Sequence, residues 1–173
     1  MRVLLTRTRQ RLDARLAAGS TVMDHLKRRM FWLVSRICFT LYGWLPLFGT
    51  LRASLGVIQR DGKFLVIRRN DGRGLCLPGG ISGWREAEET TLCREVLEET
   101  GLSVSGKELK LKYFCPVDFP CNVSVFEVQV QGEVRDSWEG SPQWMTVAEL
   151  ESHFVESQRP ALDVLRKMSS NSV

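Results

Sequence analysis

Several features that would each assign a protein to a class are scarce here. Histidine occurs twice, as His25 and His153, and neither stands in a nucleophile motif, so a Ser/His/Asp hydrolase has no support. The five cysteines (Cys38, Cys76, Cys93, Cys115, Cys121) are odd in number and form no CxxC or Cys/His pairing. That argues against a disulfide framework and a zinc site, and fits a reducing compartment in which each is a small buried apolar side chain. No repeat or low-complexity tract is present. With 43% apolar and 25% charged residues, the 173-residue chain is neither disordered nor collagen-like. Its length suits one domain with a short appendage.

An uninterrupted apolar run of the roughly 20 residues that a transmembrane helix needs is also missing. Met30 to Leu51 is rich in large apolar residues, but Arg36 confines the charge-free part to 37–51, and Gly43, Pro46 and Gly49 fall inside it. Ahead of it, residues 1–36 hold nine Lys/Arg against Asp13 and Asp24, a net of +7, which leaves 37–173 at −3 out of the total +4. The basic balance belongs to an N-terminal arm and not to the body. Such an arm can meet RNA, an acidic membrane surface or an import receptor, or remain a solvated helix. We read 1–52 as a helical extension that packs on the domain or on a sister subunit, which would make a homodimer. A peripheral membrane contact through 30–51 ranks second and a transit segment third. The compartment expected is cytoplasmic, with membrane association or, in a eukaryote, a mitochondrial location as alternatives.

From Ala53 the pattern becomes β. LGVIQ and FLVIRR flank Asp61-Gly62, the preferred pair for a two-residue hairpin turn. Asn70 to Gly74 reads as a loop, and Leu75–Leu77 as a short strand halted by Pro78-Gly79-Gly80. Residues 86–100 contain good helix formers without Gly or Pro and end at Gly101, a left-handed cap. Strands are expected over 109–117 and 123–130. The valines of the second do not keep one parity, so it carries a bulge or is buried on both faces. Trp144-Met145 is a last short strand, Thr146 caps a helix over 147–154, Ser157 caps another near 161–168, and the final residues fray. This mixture predicts an α/β (α+β) layered domain over 53–173.

The helix over 86–100 holds the chemistry. Leu92, Cys93, Val96 and Leu97 form an apolar stripe, while Glu95, Glu98 and Glu99 sit at i, i+3 and i+4 on a neighbouring face. Like charges so placed oppose the fold by a few tenths of a kcal/mol per pair and call for a positive partner. Carboxylates alone select a hard, oxygen-preferring ion, Mg2+ or Mn2+. A solvated acidic face is the competing reading, with Glu88 and Glu89 part of it and Arg94 merely pairing with Glu98.

Gly80, five residues, Glu86, seven residues and then Arg94-Glu95-Val96-Leu97-Glu98-Glu99-Thr100-Gly101-Leu102 resembles the Nudix box, GX5EX7REUXEEXGU with U aliphatic, at every specified position. The resemblance extends in pattern from about Ala53 to Met168. It implies an α/β/α sandwich with a mixed sheet and a hydrolase that splits a nucleoside diphosphate from another moiety with Mg2+ or Mn2+. By position, the Gly80 carbonyl and Glu95, Glu98 and Glu99 would hold the metals, Glu86 would assist, Arg94 would orient the glutamates, and Glu95 would serve as base. Some members place the base on a loop before a late strand, and Glu139 occupies a similar loop here. Two positions depart from the common pattern outside the signature: Arg85 where glycine is frequent, and Gly83 where many members carry an acid.

Arg68 and Arg69, at the hairpin's end, are candidates for a substrate phosphate. Phe114, Phe119, Phe126 and Trp138 are stacking candidates for a base, or core aromatics. A nucleoside triphosphate, oxidised forms included, is the first substrate expected. RNA carrying a 5′-triphosphate, bound through the basic arm, is the runner-up. A Nudix-fold nucleotide-binding regulator without catalysis and a pyrophosphatase at a membrane surface are the remaining alternatives.

Overall fold

The computed structural model describes residues 50–117 and 120–170, together with Leu26, Arg29, Met30, Leu33, Val34 and Ile37. The rest of the arm, most of the segment 30–51, Phe119 and the last three residues lie outside the described residues.

Strand β1 (Leu51–Val57) leads through β2 (Gln59–Arg60) into β3 (Lys63–Arg69) by the expected turn. Asp61 and Gly62 both take positive φ, 50° and 72°, the conformation that lets a two-residue turn follow the twist of its strands. Then come β4 (Leu75–Cys76), β5 (Gly79–Ile81), helix α1 (Glu88–Thr100), β6 (Ser103–Cys115), β7 (Cys121–Gln131), β8 (Gly140–Met145) and helix α2 (Val147–Leu150). A 3-10 turn (Glu156–Ala161) and helix α3 (Leu162–Ser170) complete the described chain.

One sheet runs β5-β1-β7-β6, with β1 and β7 parallel and the other pairs antiparallel. In the other, β3 pairs antiparallel with β2, β4 and β8. Alternation along the central strands sends side chains into two cores. Phe64, Val66, Val123 and Val125 join Leu150, Phe154, Leu162 and Leu165 from the C-terminal helices, while Leu65, Phe126 and Val128 meet Leu92 and Val96 of α1. Helices therefore cover opposite faces, and the domain is an α/β/α layered fold with a mixed sheet.

Four local expectations need correction. Helix α1 begins at Glu88, because the Glu86 carboxylate is occupied before it in accepting the Gly83 N–H (2.7 Å) and the Thr91 hydroxyl (3.0 Å). Strand β6 starts at Ser103 and not near 109. It is the edge strand, and its exposed polar residues mask the β pattern. The β7 valines are explained by burial on both faces, and the two register shifts fall on β6, between Val104 and Gly106 and between Leu109 and Leu111. Helix α2 stops at Leu150, and Ser157 lies inside the 3-10 turn, so it does not cap α3. Thr146 does start α2, its N–H and hydroxyl both donating to Glu149 at 2.8 Å.

Helix α1 lies close on β1. A Cβ on Gly56 would sit 3.1 Å from Val96 and 3.3 Å from Leu92. At the other end Gly101 caps the helix with φ 75° and donates to the Leu97 carbonyl. Cys76, Cys115 and Cys121 are buried, and all four described cysteines are free thiols. Leu92 is fully buried whereas Leu97, one turn on, is half exposed. Leu92→Ala is therefore expected to lower stability by about 2–5 kcal/mol, and Leu97→Ala by about 0.5 kcal/mol or less, as read from urea unfolding.

Candidate active site

The turn entering β5 and the second half of α1 bring acidic groups against backbone. Gly79 N–H donates to Glu99 Oε2 at 2.8 Å, and Glu99 is only 4% exposed. Gly79 has φ 145°, and a Cβ there would run into the Ser54 carbonyl; on Gly80, a Cβ would come within 2.5 Å of the Glu95 carboxylate carbon. Gly79 is thus set by close backbone approach, whereas the neighbour of Gly80 is the movable end of the Glu95 side chain.

Arg94 organises the opposite side of the helix start. Its Nε and Nη2 donate to the two oxygens of Glu86 at 3.0 Å, and its Nη1 donates to Glu95 at 2.7 Å and to Glu98 at 3.4 Å. The hydrogen bond from Arg94, followed by that from Gly83, lowers the Glu86 carboxyl to about 2. Arg94 is thus far more than an i,i+4 partner of Glu98. Glu88, read from sequence as a solvated acid, accepts from Lys112 Nζ and Ser124 Oγ at 2.8 Å each and ties the helix start to the sheet.

A cavity of about 340 Å3 is lined by Gly79, Gly80, Glu95, Glu99 and Glu139, by Arg69, Arg73, Ser157 and Gln158, and by the apolar walls Ala53, Leu55, Val117, Val123 and Tyr113. The loop that carries Glu139 is fixed to the end of β3: Asn70 N–H donates to the Glu139 carbonyl, and the Asn70 side chain to that of Trp138, both at 2.9 Å. Composition and spacing alone leave Glu139 a loop acid; the resemblance of its loop made it a candidate base. Here it shares the cavity with Glu95 and Glu99.

The adjacent arginines part company. Arg69 lines the cavity in a partly buried ion pair, its Nε 3.0 Å from both oxygens of Asp71, whereas Arg68 donates to Gln143 away from it. Burial alone would lower the Arg69 guanidinium; its bonds to Asp71 outweigh that and raise it. Asp71 and Gln158 carried no sequence signal. Gln158 accepts the Leu77 N–H through Oε1 at 2.8 Å across 81 residues, a pairing that only the fold creates. Glu98 is exposed and outside the cavity wall, as are Phe114 and Trp138, while Phe126 is core.

Burial pushes Glu99 up to about 8, and the charges of Glu139 and Glu95 add to the shift. Burial likewise raises Glu139 and Glu95, with mutual repulsion contributing and Arg94 partly offsetting the rise at Glu95. Three crowded carboxyls with oxygen donors alone suit a hard divalent cation. Among the described residues no three His, Cys, Asp or Glu side chains stand gathered on one point, and the Glu95 carboxylate is engaged by Arg94. A bound ion of this kind activates water and neutralises phosphate charge.

Residues 50–165 match the NUDIX domain, and the chain belongs to the Nudix family. It is 47% identical over 53 residues to a MutT-like protein of Streptomyces ambofaciens, covering 31% of this chain and 34% of that protein. It is 41% identical over 64 residues to an ADP-ribose pyrophosphatase of Methanocaldococcus jannaschii, covering 35% and 38%. The chain thus spans little more than a third of the curated relatives it matches. Among solved structures, a MutT NUDIX hydrolase from Burkholderia pseudomallei superposes with TM-score 0.59 at 24% identity, over 66% of this chain and 96% of that one. The E. coli ORF135 protein superposes with TM-score 0.62 at 21% identity, over 72% and 94%. These two share the fold.

The buried acid makes a prediction about stability. With a folded-state value near 8 against the ordinary 4.5, Glu99 holds its proton more tightly in the folded chain. Its contribution is therefore full below about pH 4.5 and is lost as pH rises through 8. In chelator-treated protein, Glu99→Gln should raise Tm above pH 8 and leave it unchanged below pH 4.5. Equal Tm values above pH 8 would contradict this account.

Proposed function

We propose that the protein is a divalent-metal-dependent pyrophosphohydrolase that cleaves the diphosphate of a nucleoside diphosphate derivative by attack of water at phosphorus. A nucleoside triphosphate, oxidised forms included, is the first substrate. The observation that carries this reading is the run of the cavity across the sheet. Ile81, Ala53, Val123 and Tyr113 occupy one register row from β5 to β6. Three strand spacings separate the carboxylate end from Tyr113, about 14 Å, which is room for phosphates, ribose and base.

In this reading the Gly80 carbonyl, Glu95 and Glu99, joined from the same helix by Glu98 and supported by Glu86, hold Mg2+ or Mn2+. The bound ion would offset the charge of the diphosphate and ease deprotonation of water. A cavity carboxylate accepts the proton of the attacking water, and the raised values of Glu95 and Glu139 suit both to that step. Arg94 orients Glu95. Arg69, held along its Nε edge by Asp71, turns its remaining N–H groups to a phosphate oxygen. Gln158 has its carbonyl oxygen engaged by Leu77 N–H, so its NH2 is the group to donate to a carbonyl of the base.

ADP-ribose enters the comparison because one relative is named for it, and 5′-triphosphate RNA because of the +7 arm. A Mg2+-dependent turnover panel tests the reading: canonical and oxidised nucleoside triphosphates, ADP-ribose, NADH, nucleotide sugars, dinucleoside polyphosphates and triphosphate RNA. One class is expected to turn over, with kcat reduced at least about 100-fold in Glu95→Gln. Gln158→Ala should raise KM with little change in kcat. Nucleotide binding without turnover of any class would sink the hydrolase and leave a regulator.

A further inference from the structure

The described positions between 26 and 37 are all helical and all exposed. Five of the six are large apolar residues, Leu26, Met30, Leu33, Val34 and Ile37, between 49% and 59% exposed. Their spacing of four, three, one and three residues places all five within an arc of about 100° on a 3.6-residue helix. Single exposed apolar side chains are ordinary, but a continuous stripe marks a surface that something covers. The domain leaves these positions exposed.

Charge decides what does. Arg29, exposed on the same helix, stands among Lys27, Arg28 and Arg36 in an arm of net charge +7. A second copy laid along the stripe would bring two such arms together, with like charges flanking the seam. RNA would answer the cations and leave the apolar stripe bare. An anionic lipid surface answers both: the apolar face enters the boundary between headgroups and acyl chains while Lys and Arg stay among the phosphates. No helix among the described residues is long and apolar enough to cross a membrane. We infer that the exposed helical residues Leu26, Met30, Leu33, Val34 and Ile37 dock on an anionic lipid bilayer and hold the Nudix domain at its surface. This docking is independent of which substrate the domain turns over.

The test is co-sedimentation of the full chain with vesicles of phosphatidylcholine alone and of phosphatidylcholine mixed with phosphatidylglycerol. Binding to the mixed vesicles should be at least about tenfold tighter, and should fall at least about tenfold when salt rises from roughly 0.1 to 1 M. The double variant Leu33→Glu/Val34→Glu should lose it while keeping the parent's Tm and nucleotide turnover. Absence of binding, equal binding to neutral vesicles, or binding that survives the double variant would overturn the inference. So would a dimer that the variant dissociates, or RNA binding that it abolishes.

Discussion

The Gly79 amide reaches the Glu99 carboxylate from a backbone conformation that only glycine adopts readily, and it does so in a place where the carboxylate is almost wholly buried. A single N–H does not compensate a buried ionised carboxylate. Glu99 is therefore held mainly in its protonated form at neutral pH. Much of the surrounding sequence follows from keeping the helix that close to the sheet. Gly80 lacks a side chain where Glu95 lies, and Gly56 lacks one where Leu92 and Val96 press on β1. A methyl on Gly56 would press on Leu92 and Val96 of α1, one on Gly79 would strike the β1 backbone at Ser54, and one on Gly80 would displace the Glu95 carboxylate.

Two arginines treat the surrounding negative charge differently. Arg94 commits two donors to Glu86, which remains ionised far below ordinary pH, and spends its third nitrogen mainly on Glu95. Arg69 is committed to Asp71, so it moderates Glu99 and Glu139 only at longer range. Glu86 is thus neutralised by a fixed partner, while among the described residues Glu99 and Glu139 are left without an arginine in contact. The division is incomplete at Glu95, which lines the cavity and is also held by Arg94 at 2.7 Å.

What was legible in the sequence was local. Asp61-Gly62, the body of α1 and Gly101 announce themselves because turn and cap chemistry acts over a few residues. The Nudix signature placed Gly80, Glu86, Arg94, Glu95, Glu98 and Glu99, and its loop resemblance singled out Glu139, now found beside Glu95 and Glu99 in the cavity wall. Even the departure at Arg85 has a physical counterpart, since its φ of 58° is the conformation that a glycine there would adopt without strain. Pairings made by the fold stayed hidden. Gln158 finds Leu77, Glu88 finds Lys112 and Ser124, and β6 presents polar residues because it is an edge. None of these has a spacing to read.

The crowded carboxyls also connect folding with function. Each of Glu95, Glu99 and Glu139 has its value raised by burial and by its neighbours, so ionising them together works against the folded chain. A cation held there, as the proposed function requires, would relieve that repulsion and would have no equivalent site in the unfolded chain, so its binding would add to folding stability. In the proposed function, protons and metal would compete for the same oxygens, and the crowding that weakens the empty domain would favour the ion. An apolar residue in place of Glu99 would pack more stably between α1 and β5, and it would remove the reason for the helix to approach Gly79 at all.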